Sequence, residues 1–287
     1  MIALKRLIKR YGGENLQRLI FSFLRILKIY KNFILLTKTP VKKNSVNIHF
    51  WNESKNMGDA ISPVIVRYAA LQHDVDVNKR IKETKHLYAV GSIITAGCHD
   101  CTIWGSGILN TKILYRIKKR KLDIRAVRGP LTRMVLKEFG YEVPEVYGDP
   151  AILMPQIFNP VEEKQYDVSI VTHMNEPLDE NENGYHRISI CDDDYETFVR
   201  EIKRSKLIVS SSLHGIIFAE TYGVPAILLK PRVDLFKYYD YYYGTKRFDF
   251  PIASSVEEAL NIDVPKVPDF SEMRRQVLAA FPTDLWG

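Results

Sequence analysis

The stretch LIVSSSLHGIIFAETYGVPAILLK, residues 207–230, decides the fold class. An apolar run ends in three serines, a segment of helical length begins near His214, and a second apolar run closes the stretch. Apolar runs that alternate with helical segments are typical of parallel β-sheets with helices on their faces. Ligands of such sheets bind beyond the carboxyl ends of the strands, where the helices begin. The pattern therefore places Ser212 and His214 at this edge, where the serines would either bind an anion or cap the helix and the histidine would have either a functional or a structural role.

The same alternation extends over most of the chain. Before residue 155, strands are predicted at 46–51, 86–92, 101–107, 123–129 and 145–153, and helices at 58–72 and 130–140. After residue 166, strands are predicted at 166–173, 186–192, 207–212 and 224–230, and helices at 194–206, 214–223 and about 271–281. The segment 155–166 between the two series is rich in proline and charge. We therefore predict an α/β protein with two halves that face a cleft.

The positive charge of the chain is concentrated at one end. The whole chain carries +7, whereas residues 1–43 hold eleven Lys or Arg and only Glu14 as an acid, which gives +10. The remainder carries −3, the difference between these two values. This distribution disfavours nucleic-acid binding by the body and predicts a separate basic arm.

Within this arm, polar residues recur at helical spacing along residues 16–36 and leave a wide apolar face. Arg25, Lys28 and Lys31 interrupt the apolar run, so a transmembrane helix or a signal peptide is disfavoured. The pattern predicts an amphipathic helix on a membrane surface, or alternatively one that docks on protein.

The three cysteines do not form a disulfide framework, and their odd number indicates a reducing compartment. Cys98 and Cys101 have the spacing of half a zinc site, but no second pair follows. We therefore interpret the segment between them as a loop between strands and predict no metal.

Two further turns at predicted strand ends carry candidate residues. After the first strand, Asn56, Gly58 and Asp59 open a helix, where they would either face a ligand or cap the helix. At the end of a later strand, Arg128 would grip a carboxylate or phosphate, or pair with an acid such as Asp149.

The histidine after the serines is the strongest acid–base candidate. At a helix N-terminus near a bound anion, an imidazole can serve as a base or an acid close to neutral pH. The chain contains no Gly-x-Ser-x-Gly, no Gly-x-Gly-x-x-Gly after the first strand, and no phosphate-binding loop with Gly-Lys-Ser/Thr. Acyl hydrolysis, nicotinamide-dependent redox chemistry and P-loop ATP hydrolysis are therefore disfavoured.

Five blocks together resemble the polysaccharide pyruvyl transferases. In chain order they are NMGDAI (56–61), WGSGI (104–108), AVRGPLTRMVL (126–136), GDPAILMP (148–155) and SSSLHGIIFAETYGVPAI (210–227). The resemblance implies a GT-B-like fold of two Rossmann-like domains that face a cleft. On this basis we divide the chain into the arm at 1–43, an N-terminal domain at 44–160 and a C-terminal domain with a terminal helix at 161–287.

The resemblance also implies the reaction: pyruvate passes from phosphoenolpyruvate, a co-substrate, to two hydroxyls of a sugar as a ketal, without a cofactor. It implies that His214 is the essential histidine, with Asp59 as a candidate base on a sugar hydroxyl. The residues that it implies for donor binding are Arg128, Asn56, Gly58, Ser212 and Gly215. Glu220 lies where the family often has an acid, with helix packing as an equal interpretation.

The expected acceptor is a bacterial surface polysaccharide, either capsule or exopolysaccharide, or its lipid-linked precursor. A basic interfacial arm would hold such an enzyme at the inner face of the cytoplasmic membrane. The segment 89–97 has fewer glycines than the corresponding segment of many family members. The tyrosine-rich segment after Lys230, which we interpret as a loop, is peculiar to this chain. Two alternatives remain open: a GT-B-type glycosyltransferase that uses a nucleotide sugar, and a non-catalytic membrane-associated assembly protein.

Overall fold

The computed structural model describes residues 41–287 except 53, 98, 112–113, 115–116, 118–119 and 177–183. The predicted helix of the basic arm lies almost wholly outside the described residues. Within the part that is described, no helix is long and apolar enough to cross a membrane.

The first sheet has four parallel strands in the order β1-β2-β3-β4. They are β1 (Val46–His49), β2 (Lys85–Tyr88), β3 (Cys101–Trp104) and β4 (Leu122–Ala126). Helices α1 (Met57–Ala60) and α2 (Ser62–Gln72) connect β1 to β2, and α3 (Pro130–Glu138) follows β4. Pro130 occupies the first turn of α3, where its missing N–H breaks no helical hydrogen bond.

The second sheet has five parallel strands in the order β6-β5-β7-β8-β9. They are β5 (Tyr166–Val171), β6 (His186–Arg187), β7 (Ser205–Ser210), β8 (Ala226–Leu229) and β9 (Ile252–Ala253). Helix α5 (Tyr195–Arg204) precedes β7, and α6 (Leu213–Thr221) connects β7 to β8. The strand–helix–strand prediction for residues 207–230 is therefore confirmed, as are the α/β class and the parallel sheets.

The predicted strand at 145–153 is wrong. A single bridge pairs Tyr147 with Val127, and Pro150–Leu153 forms a 3-10 helix that continues into α4 (Met154–Ile157). Asp149 caps the 3-10 helix, because its Oδ1 accepts a hydrogen bond from the Ala151 N–H at 3.1 Å. Pro150 at the first helical position favours the start of the 3-10 helix over a strand that continues through residue 153.

The interpretation of the tyrosine-rich segment as a loop is also wrong. It forms helix α7 (Phe236–Gly244), whose residues Tyr238, Tyr241 and Tyr242 are buried. The helix packs on α3, and Asp240 accepts hydrogen bonds from the N–H and hydroxyl of Thr132 at 2.8 and 2.7 Å. The buried tyrosines stabilise the helix in a segment that is poor in strong helix formers.

The remaining helices are α8 (Val256–Leu260), α9 (Ser271–Ala279) and a 3-10 helix at Thr283–Trp286. The chain after α8 returns to the first sheet, where the indole N–H of Trp104 donates to the Val277 carbonyl at 2.8 Å. The largest hydrophobic cluster contains residues of both halves, among them Met57, Trp104 and Phe218. This packing anchors the turns that follow β1 and β7.

Candidate active site

The turn after β7 holds His214 in a defined position. The Ser210 hydroxyl donates to the carbonyls of Val171 and Ser212 and accepts from the Ser212 N–H, all at 2.8–3.0 Å. Ser212 is the N-cap residue of α6, but its side chain makes no capping hydrogen bond. Gly215 fits closely against Val171, since a Cβ there would lie 2.9 Å from a Val171 methyl group. The first turn of α6 is thus fixed by backbone packing, and its N-cap hydroxyl is available for other partners.

Gly58 lies directly against the imidazole of His214. A Cβ at position 58 would overlap Nδ1, Cγ and Cε1 of the ring. Asn56 caps α1, because its Oδ1 accepts from the Gly58 N–H at 3.1 Å, while its amide nitrogen donates to Met174 Sδ at 3.1 Å. The structure thus brings together the turns after β1 and β7, and Asn56 has the capping role that the sequence left open.

Asp149 faces the other side of the same ring. Its Oδ2 is 3.7 Å from His214 Nε2, and the side chain of Asp149 is fully buried. Neither atom has a hydrogen-bond partner among the described residues. A separation of 3.7 Å is too long for a hydrogen bond, but a small ring movement would close it, as often happens when substrate binds.

Asp59 is a buried carboxyl group of the same cluster. Burial raises its pKa to about 6, an effect that nearby Asp149 reinforces and that His214 and Lys237 partly oppose. Gly91, with φ at +98°, leaves room for it, since a Cβ there would be 2.5 Å from Asp59 Oδ1. A carboxyl group with this pKa can exchange a proton near neutral pH.

Helix α7 contributes a cation, Lys237, that is only 6% exposed. Burial lowers its pKa to about 8, as does the charge of Arg128, while Asp59 and Glu176 raise it. Its ammonium lies 5.0 Å from the Tyr238 ring centroid and has no ion pair within 4.0 Å among the described residues. A buried cation without a paired carboxylate is costly unless an anion binds beside it.

His173, at the end of β5, completes this cluster. Its backbone N–H donates to the Ser211 hydroxyl at 2.9 Å. Burial lowers the pKa of its imidazole to about 4, and the charges of Lys237 and His214 contribute to this shift. His173 is therefore neutral at pH 7 and can serve as a hydrogen-bonding group but not as a cation.

Arg128 is a second buried cation, and its charge acts on Lys237. Its two terminal nitrogens donate to Ser92 Oγ at 2.6 Å and to the Ile108 carbonyl at 2.9 Å, and the second lies 3.2 Å from Asp240 Oδ2. The acid that pairs with it is thus Asp240, not Asp149. The residue is 1% exposed, and its Nε has no partner among the described residues.

Glu220 lies apart from this cluster. It forms a two-point ion pair with Arg247 at 2.5 and 2.7 Å and accepts from the Tyr241 hydroxyl at 2.5 Å. These contacts match the packing interpretation of Glu220.

Three members of the cluster were not chosen as site residues from the sequence: Asp149, Lys237 and His173. From the sequence, Asp149 was considered as an acid that could pair with Arg128, and its second oxygen faces His214 only because the two halves pack together. The tyrosines of α7 recur at helical spacing, and this weak signal could have indicated a buried helix that carries Lys237. No local pattern marks His173.

These acid–base groups and the cation lie beyond the carboxyl ends of parallel strands, which is where α/β proteins bind their ligands. A family model described as Polysaccharide pyruvyl transferase matches residues 59–231, which is more than half of the chain. The chain therefore belongs to the polysaccharide pyruvyl transferase family, whose members are transferases of polysaccharide pyruvylation.

Two individual proteins are also similar. Uncharacterized protein L143 of Acanthamoeba polyphaga mimivirus is 28% identical in an alignment over 215 residues, and the match covers 69% of this chain and 74% of that protein. A crystal structure of a functionally uncharacterized protein, KP1_0663 from Klebsiella pneumoniae subsp. pneumoniae NTUH-K2044, aligns with 81% of this chain and 98% of its own. That alignment has 14% identity and a TM-score of 0.48.

Proposed function

We propose that this protein transfers pyruvate from phosphoenolpyruvate to two hydroxyls of a saccharide and forms a cyclic ketal. The observation that carries the proposal is the placement of His214 between Gly58 and the orphaned Oδ2 of Asp149, with Asp59 in the same cluster. Membership of the family supports pyruvylation in general, and the donor and acceptor are part of the proposal.

The donor carries a carboxylate and a phosphate, so its site needs cations and N–H groups. Lys237 is a buried cation that pairs with no carboxylate among the described residues, and the first turn of α6 offers N–H groups beside the Ser212 hydroxyl, which makes no capping hydrogen bond. Arg128 adds positive charge that acts on Lys237, although its guanidinium is already bound to Asp240. We assign donor binding chiefly to Lys237 and the turn at Ser212, with Arg128 as the supporting charge.

The chemistry begins with proton transfer from His214 to the methylene carbon of the donor. The neighbouring carbon becomes electrophilic, one sugar hydroxyl adds to it, its C–O bond to phosphate breaks, and the second hydroxyl closes the ring. Of the two hydroxyl protons, one goes to the departing phosphate and the other restores His214. Asp59, whose pKa is about 6, is the base that first accepts the proton of the attacking hydroxyl and passes it on to the departing phosphate, and Asp149 orients the imidazole.

The acceptor is proposed to be a cell-surface polysaccharide or its lipid-linked precursor. Residues 1–43 carry +10 and would hold the enzyme at the anionic inner face of the cytoplasmic membrane. Removal of these residues should abolish sedimentation with anionic liposomes. Unchanged sedimentation would instead favour docking of the arm on protein.

A product assay tests the reaction directly. The purified protein is incubated in D2O with phosphoenolpyruvate and a panel of saccharides, and phosphate release and saccharide mass are followed. The expected product gains pyruvate as a ketal, and its methyl group carries one deuterium because the proton comes from an exchangeable donor. His214→Ala should lower the rate about 10²- to 10⁴-fold.

Parallel reactions with UDP- and CMP-sugars test the main alternative. Sugar transfer from a nucleotide, without ketal formation from phosphoenolpyruvate, would make the protein a glycosyltransferase. If neither activity is found, and neither phosphoenolpyruvate nor the nucleotide sugars change the melting temperature, the result would favour a non-catalytic assembly protein.

A further inference from the structure

Three histidines lie together on the first sheet, away from the proposed reaction. His49 ends β1, His86 is on β2, and His99 lies on the segment that leads into β3. One ring nitrogen from each of the three residues can be chosen so that the three atoms all lie within 4.8 Å of one another. His49 Nε2 and His86 Nδ1 are 2.7 Å apart, and the two residues are 37 positions apart in the chain. Only the sheet brings these residues together, so no sequence spacing indicated them.

We propose that His49, His86 and His99 form a binding site for one divalent transition-metal ion of the zinc type. Three imidazoles with a water as fourth ligand are a common zinc environment, and imidazole also suits copper, iron and nickel. Zinc is the ion we assign, because three imidazoles and one water match its preferred four-coordinate tetrahedral geometry. The site would tie β1, β2 and the segment before β3 together.

Small ring movements would convert the cluster into a ligand set. With Zn–N distances of 2.0–2.1 Å, tetrahedral ligand nitrogens are about 3.3 Å apart, so His49 and His86 must separate by roughly half an ångström. His99 stacks on His86, with ring centroids 4.0 Å apart and planes at 8°, and must tilt to point its nitrogen at a shared ion. His99 is on a bend rather than a strand, which allows this tilt.

The surroundings suit a bound cation. The three rings are withdrawn from bulk water, since His49 is buried and His86 and His99 are half-buried. The negative charge of Asp100 acts on His86 and His99, whereas the positive charge of Arg120 on His99 opposes a cation. A cavity of about 340 Å³ borders one member of the cluster, His86, and Asp100 also lines it.

The test uses the full chain without a purification tag. The protein is stripped with a chelator, titrated with Zn²⁺ by calorimetry, and loaded with Co²⁺ for visible absorption spectra. We expect one ion per chain and d–d bands typical of nitrogen ligation. X-ray absorption at the zinc edge should count three imidazoles, a result that needs no variant.

Variants separate this site from other histidines and from the cysteines. His99→Ala should weaken zinc binding at least tenfold, and its place outside the strands leaves the sheet intact. His73→Gln, a half-buried histidine that bonds the Leu278 carbonyl at 2.9 Å, should bind zinc like the parent. Unchanged affinity in His99→Ala, or an edge spectrum without imidazole ligands, would overturn the proposal. Loss of binding in Cys98→Ser alone would do the same, because the ion would then belong to the cysteine pair.

Discussion

Nε2 of His214 faces Oδ2 of Asp149 across 3.7 Å, and neither atom has a hydrogen-bond partner among the described residues. One residue comes from the turn after β7, and the other from the segment that precedes the 3-10 helix at Pro150–Leu153. Two buried polar atoms without partners are costly, so their juxtaposition indicates a pair that closes during function.

Asp149→Asn should lower kcat about tenfold to a thousandfold while the protein stays folded. Asparagine can still accept the Ala151 N–H through its Oδ1, so the cap survives, but the charge that orients His214 is lost. Steady-state kinetics and thermal unfolding would be measured together. The matched control is Asp194→Asn, a cap at the start of α5 that should leave kcat unchanged. Equal kcat in parent and Asp149→Asn would remove Asp149 from the mechanism.

Gly58→Ala should reduce kcat about a hundredfold or more, because the added methyl group overlaps the His214 ring and must displace it. Gly184→Ala is the control, since nothing lies within 4 Å of a Cβ there. Circular dichroism would show that both variants retain their helices. Normal turnover by Gly58→Ala would mean that the ring can move without loss of catalysis.

Asp59 makes stability depend on pH with a defined sign. Burial raises its folded-state pKa from 3.8 to about 6, so ionisation costs more in the folded state than in the unfolded chain. The stability contributed by the neutral form is complete below about pH 4 and is lost as pH rises through 6. The shift corresponds to about 2–3 kcal/mol at pH 7.

Asp59→Asn should remove this dependence. Urea unfolding of parent and variant at several pH values between 4 and 7.5 would measure it, and the free-energy difference should move in favour of the variant as pH rises. The same variant should lose the rise of kcat/KM with pH near 6, if Asp59 is the base. A pH-independent difference in stability would contradict the raised pKa.

Arg128→Met should destabilise the protein by about 3–5 kcal/mol, because it leaves Asp240 as an unpaired buried charge. Arg128→Met combined with Asp240→Asn should recover much of that loss, since asparagine can still accept one Thr132 hydrogen bond. Chemical denaturation of the four proteins in this cycle gives the coupling energy. If the double variant is stable and still binds phosphoenolpyruvate with parental affinity, Arg128 is a structural residue rather than a donor ligand.

Lys237→Met should raise the KM for phosphoenolpyruvate at least tenfold without lowering stability. Methionine keeps much of the volume and removes a buried charge whose pKa is lowered to about 8, so unfolding at pH 7 should need as much or more denaturant. Lys230→Met, at an exposed lysine seven residues earlier, should leave both quantities near the parental values. Lower stability with an unchanged KM would show that Lys237 serves packing instead.

Local patterns predicted much of the architecture. The spacing of apolar residues and the helix start and stop signals in residues 207–230 were enough to predict β7, α6 and β8. An apolar strand, a serine turn and a helix each depend on neighbouring residues. The same reasoning gave a wrong strand at 145–153, because apolar residues beside Pro150 are compatible with a strand and with a buried 3-10 helix alike.

The sequence by itself determined the α/β class, the family and the turns that carry His214, Gly58 and Asp59, because these features are written in contiguous residues. Only the tertiary structure decided which acids face His214 and Arg128, that Lys237 is buried beside Asp59, and that three histidines meet on the first sheet. Such pairings depend on how distant segments pack, and burial then sets the pKa of each group.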